Sequence, residues 1–143
     1  MKAYTDIEQS KKLTEILPVE SADAWWAERY EGKVTYDGQY IVNEEPLCYI
    51  SFIKPSEINY SQDTVKDIPC WSLAALLDQL EDRICDEEDN QWELVIKKEN
   101  VQYDIYYINI CGEQEIIELD RFYDDLIDCC YEMILKLKEK DLI

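Results

Sequence analysis

Seven carboxylates crowd residues 113–128: Glu113, Glu115, Glu118, Asp120, Asp124, Asp125 and Asp128. Groups of this type support two kinds of chemistry. A close pair in a cleft divides acid and base work on a glycosidic bond. A face of separated negative charges instead attracts a basic protein, because its field acts before contact and can imitate a phosphate backbone. The adjacent pair Trp25-Trp26 is a second candidate. Neighbours on a strand point to opposite faces, so the two indoles cannot share one core. An indole left over is the kind of side chain that anchors a binding hot spot.

Composition narrows the remaining options. The chain has 143 residues, 33 Asp+Glu against 14 Lys+Arg, and no His, for a net charge of −19. Without His there is no Ser-His-Asp or Cys-His catalysis within the chain, and a zinc site would need thiolates and carboxylates alone. The six cysteines, Cys48, Cys70, Cys85, Cys111, Cys129 and Cys130, form no C-x-x-C pair. A reactive thiolate needs a nearby cation. Cys129 and Cys130 instead have Asp125, Asp128 and Glu132 around them in sequence, so they read as packing residues. Reduced, mostly buried thiols are expected. The run Asp86-Glu87-Glu88-Asp89-Asn90 has Gln91 where a calcium loop needs Gly, and reads as a solvated loop. No catalytic residue, metal ligand or cofactor is expected.

The charge is spread along the whole chain: −2 over residues 1–30, −4 over 31–70, −6 over 71–100 and −7 over 101–143. No segment is basic enough to neutralise phosphates, so neither nucleic acid nor an anionic membrane is an expected partner. No apolar run reaches the roughly 18–20 residues of a membrane span. The N-terminus lacks the apolar region of a signal peptide, and a cytoplasmic location is expected. Apolar residues at 47% are too many for an acidic disordered tail.

The elements that must carry these side chains follow from local pattern. A helix is predicted over 5–17, with Thr5 and Glu8 as a capping box and Pro18 as its stop. Residues 21–31 fit a short helix or an extended segment, with the balance toward extended. Asp37-Gly38 between β-formers predicts a two-residue type I′ hairpin over 34–42. Leu47–Ile53 is apolar on both parities, which predicts a central strand, and 54–69 reads as a loop. Leu73, Leu76, Leu77, Leu80 and Ile84 form one helical stripe, predicting a helix over 72–84 with Ser72 as N-cap and a Trp71–Leu76 staple. A meander follows, with strands from Trp92, Val101–Ile110 and Gln114–Leu119. A helix over 122–140 closes the chain, with acids at its start and lysines at its end. The sum is one α+β domain over 1–143: a mostly antiparallel sheet with about three helices on one face.

Three stretches carry a resemblance. They are Met1–Leu13 with Ile16-Leu17-Pro18 and Glu20–Asp23, then Ile68–Leu77, then Asp128–Leu137. Together they resemble short uncharacterised proteins carried by prophages and other mobile elements of gut anaerobic bacteria. The resemblance implies a bacterial cytoplasm and a mobile-element setting. It supplies no activity, cofactor or site residue. The expectation is a non-enzymatic accessory protein that binds a basic-surfaced host protein through an acidic face. The alternative is a small enzyme or ligand-binding domain with carboxylates and tyrosines in a pocket.

Overall fold

The structure is a computed structural model, and it describes residues 1–29, 32–42, 47–53, 67–112 and 115–143. These form three α-helices and nine strands in three antiparallel sheets, so the fold is α+β. The expected single sheet is divided into a four-stranded sheet, a three-stranded sheet and a two-stranded ribbon.

Helix α1 (Ile7–Thr14) starts one residue later than the Thr5–Glu8 pattern predicts. Asp6 is the N-cap: its carboxylate accepts from the Gln9 amide, and the Gln9 side chain accepts from the Asp6 amide. Thr5 does not cap, because its hydroxyl is committed elsewhere. That hydroxyl is buried, lies 2.8 Å from Ser10 Oγ, and accepts from the Trp71 amide at 3.2 Å. The helix ends at Thr14, and Pro18 leads into a single 3-10 turn, Val19–Ser21.

The extended reading of residues 21–31 holds for strand β1 (Ala24–Arg29). It pairs with β4 (Leu47–Ser51) and with β5 (Ile68–Cys70), in the order β4-β1-β5. The Leu47–Ile53 stretch is therefore a flanking strand and not the expected central one. The centre goes to β1, whose Ala24, Trp25 and Ala27 are almost wholly buried, whereas Leu47 is 52% exposed. The expected loop over 54–69 ends earlier, since Ile68–Cys70 joins the sheet; residues 54–66 lie outside the described residues.

Strands β2 (Gly32–Val34) and β3 (Tyr40–Val42) form the predicted hairpin with a different turn. Thr35 and Gln39 close the loop at 2.7 Å, which leaves Tyr36, Asp37 and Gly38 between them. Gly38 has φ +84°, while Asp37 stays at negative φ. A type I′ turn needs positive φ at both central residues; three residues ending in a left-handed Gly make the next commonest hairpin loop. Thr35 selects that loop: its hydroxyl donates to Asp37 and accepts from the Gln39 amide.

Helix α2 (Leu73–Gln79) has the predicted Ser72 cap, which accepts from the Ala75 amide at 3.2 Å. It is shorter than the 72–84 stripe suggests. Leu80 turns extended, and Arg83–Cys85 becomes strand β6. Ile84 still reaches the core, but from a strand, so a helical period ran on by coincidence into a β position.

The meander forms as expected. Strands β7 (Gln91–Glu99), β8 (Gln102–Asn109) and β9 (Ile116–Glu118) follow β6 in spatial order. Asn100, at φ 58°, makes the tight turn between Glu99 and Gln102. Helix α3 (Leu126–Glu139) is capped by Asp125, which accepts from the Ile127 amide at 2.9 Å.

One face of this four-stranded sheet is the core. Ile84, Trp92, Ile105, Tyr107 and Ile117 meet Ile127, Cys130, Met133, Ile134 and Leu137 of α3. Trp71, Leu76 and Leu80 from around α2 and Leu13 from α1 join the same cluster. The helices do not share one sheet face: α3 packs against β8 and α2, while α1 packs against β5. No helix among the described residues is long and apolar enough to cross a membrane.

Candidate protein-binding surface

The acidic stretch is divided by the fold into fasteners and free charge. Asp125 caps α3 and also accepts from the backbone amide of Lys2. Asp128, one turn on, lies 2.7 Å from both Lys2 Nζ and Gln9 Nε2. These two carboxylates tie the N-terminal segment to α3. Lys2 also reaches Asp6 at 3.1 Å. Burial works against ionising the Asp6 carboxyl, but the Gln9 amide and the Lys2 ammonium overcome it and hold the group below the usual carboxylate range.

The other predicted acids are spread out. Asp120 faces solvent, 3.6 Å from Lys136 Nζ. Asp124 accepts a long bond, 3.4 Å, from Gln102 Nε2. Glu115 is exposed ahead of β9, and its carbonyl accepts from the Asn109 amide. Glu118 stands exposed on β9, opposite Tyr106. Glu113 lies outside the described residues. Asp125 and Asp128 are thus brought together on Lys2, whereas Glu115, Glu118, Asp120 and Asp124 are not gathered on one cation.

A further acid escaped the sequence reading. Asp104 on β8 shares a sheet face with Glu118, one pair further along the ladder. Burial and the neighbouring Glu118 charge push its carboxyl above the usual range, and Lys97 opposite offsets only part of this. The strand alternation already put Asp104 on the face away from Ile105; only the β8–β9 register brings Glu118 beside it.

The two tryptophans separate as strand geometry requires. Trp25 is buried, while Trp26 is half-buried and donates from Nε1 to the Thr5 carbonyl at 2.7 Å. Trp26 forms one wall of a cavity of about 340 Å³, with Lys2, Tyr4, Asp6 and Ile50 around it. The indole is therefore held in place by the N-terminal segment.

The loop at 86–90 is built around one carboxylate. Asp86 accepts from the amides of Glu88 and Asn90, from the Asn90 side chain and from Trp92 Nε1. Burial disfavours the charged form, but these four donors outweigh it and lower its pKa. The cleft beside it, about 400 Å³, is lined by Cys85, Glu87, Glu88, Lys140 and Asp141. Asp86 lines it too, with its carboxylate committed to its own turn. Among the described residues no three Cys, Asp or Glu side chains converge on a point that would hold a metal ion.

Half of the thiols are buried, fewer than composition suggested. Cys70, Cys129 and Cys130 are buried and Cys48, Cys85 and Cys111 are exposed; all six are free. Burial pushes each of the three interior thiols up to about 12. They are packing groups, as read for Cys129 and Cys130.

No protein-family model, curated protein or solved structure matches this chain. The fold and the surface therefore define a class only: a small acidic α+β protein.

Proposed function

We propose that this protein is a non-enzymatic accessory protein that binds a basic-surfaced protein through its carboxylates. The observation that carries the reading is how few of those carboxylates are neutralised. Among the described residues five ion pairs form, and they engage Glu8, Glu15, Asp6, Asp120 and Asp128. Glu93, Glu99, Glu115 and Glu118 are exposed and take no ion pair within that set. An unneutralised shell with net charge −19 repels nucleic acid and steers cationic surfaces toward it. The prophage resemblance gives such a shell a use: an acidic decoy that occupies the DNA-binding surface of a host nuclease.

The test is to mix the purified protein with host restriction enzymes and CRISPR effectors. A complex is expected at low salt and is weakened as ionic strength shortens the reach of the field. If no salt-sensitive complex forms with any of them, the decoy reading fails.

A further inference from the structure

The four-stranded sheet has two faces, and α3 packs on one. On the other, register places Arg83, Glu93, Ile108 and Ile116 in one row, and Val95, Tyr106 and Glu118 in the next. Lys97 and Asp104 form a third row. Tyr106 and Ile108 lie in line along β8, flanked by Val95 on β7 and Ile116 on β9. None of these four belongs to the core cluster, and Ile116 is 48% exposed. α3 meets the sheet through the opposite face, where Ile105, Tyr107 and Ile117 lie. An antiparallel sheet with one face in water ordinarily presents polar side chains there. This one presents an apolar stripe with an acidic pair, Asp104 and Glu118, at its edge.

We propose that this outer face is a docking surface for an extended basic segment of another protein. Its apolar side chains lie over Tyr106 and Ile108, and its arginine or lysine side chains reach Asp104 and Glu118. The proposal rests on the acidic-binder reading and names where that binding is centred.

Charge complementarity selects the occupant. Asp104 and Glu118 are like charges held on one sheet face; Lys97 stands opposite Asp104, and Arg83 stands opposite Glu93 in the far row. The Lys97 ammonium lies 5.4 Å from the centre of the Tyr106 ring, so its charge is shared with that face. A cation from outside relieves the acid pair, and Tyr106 offers it a second ring face. A second copy of this chain brings the same acid pair and a further charge of −19, so self-docking sets like against like. The apolar stripe adds what charge alone lacks: contacts that survive salt, since burial of apolar surface is not screened.

Two synthetic peptides of equal charge test this on the full-length, isotope-labelled protein. One alternates arginine with valine; the other alternates arginine with serine. With the valine peptide, amide shifts are expected to concentrate on β7, β8 and β9 around Val95, Tyr106 and Ile116, and to persist at moderate salt. The serine peptide is expected to bind about tenfold more weakly or less, with shifts scattered over the acidic surface. Ile108→Ser and the surface change Glu118→Gln should each weaken the valine peptide, the first at all salt concentrations and the second mainly at low salt. If both peptides bind equally and diffusely, the acidic-binder reading stands and the docking face is wrong. If neither binds, both are wrong. A dimer in sedimentation that Ile108→Ser disrupts assigns the face to a second copy and overturns the charge argument.

Discussion

At the start of α3, Asp128 meets Lys2 Nζ and Gln9 Nε2 at 2.7 Å each. Ten residues earlier, Glu118 is exposed on β9 and takes no ion pair among the described residues. Both come from one acidic stretch of sequence. The first region uses its carboxylates to fasten a terminal segment, at the cost of ordering three side chains for charge-assisted bonds. The second leaves them solvated beside Tyr106 and Ile108. The lesson is that charge density along a chain does not predict free charge on a surface. What matters is whether a donor from a distant part of the fold arrives.

The same contrast holds for apolar groups in the core and on the outer face of the sheet, and here the largest effect is expected. Trp71 is fully buried and donates from Nε1 to Ser21 Oγ at 2.9 Å. Trp71→Ala should cost about 3–5 kcal/mol in urea unfolding, as a large buried aromatic removed from a packed core does. Tyr106→Ala, on the outer face, should cost about 1 kcal/mol, the loss of cross-strand contacts alone. Equal losses would mean that the outer face is part of the core.

A smaller effect separates the carboxylates. Asp128→Ala removes two charge-assisted partners in a partly shielded place and should cost about 1–2 kcal/mol. Glu118→Gln should stay within about 0.5 kcal/mol, on the stabilising side, because it removes a like charge from beside Asp104. A double variant of Lys2 and Asp128 should lose less than the sum of the singles, since the two share one contact.

The smallest effect is in the pH dependence, where the two regions have opposite signs. Asp6 is held below its unfolded value, so its contribution is present above the usual carboxylate range and disappears as pH falls through its folded value. Asp104 is raised, so its charged form is unfavourable at neutral pH and the folded state gains as pH falls through its elevated value. In urea midpoints taken from neutral to acid pH, Asp6→Asn should flatten the acid loss while keeping the cap. Asp104→Asn should steepen it. The reverse order would show that the two regions are not distinct.

Much of the helical and meander architecture was legible because it is local. Ser72 caps α2 and the acid-to-lysine gradient marks α3, since both depend on residues a few positions apart. The strands from Gln91 to Glu118 follow from alternation and turn residues. The misreadings occur where a distant group decides. Thr5 looks like a cap, yet Trp71 and Ser10 take its hydroxyl. Ile84 continues a helical period, yet it pairs with Trp92 in a strand. Leu47–Ser51 looks central, yet β1 is more fully covered. The candidate site follows the same rule: the acids and Trp25-Trp26 were visible as types, while Asp104 gained meaning only beside Glu118.

By itself, then, the sequence determined an acidic exterior, a chain free of histidine and a mixture of helices and antiparallel strands, because composition and short-range periodicity are properties of neighbours. Tertiary structure alone decided which carboxylates are spent and which sheet face packs into the core. Those outcomes depend on Lys2 reaching Asp128 across 126 positions, and on β9 aligning Glu118 with Tyr106. Pairings over such separations are fixed by the packing of the whole chain, and local pattern carries no record of them.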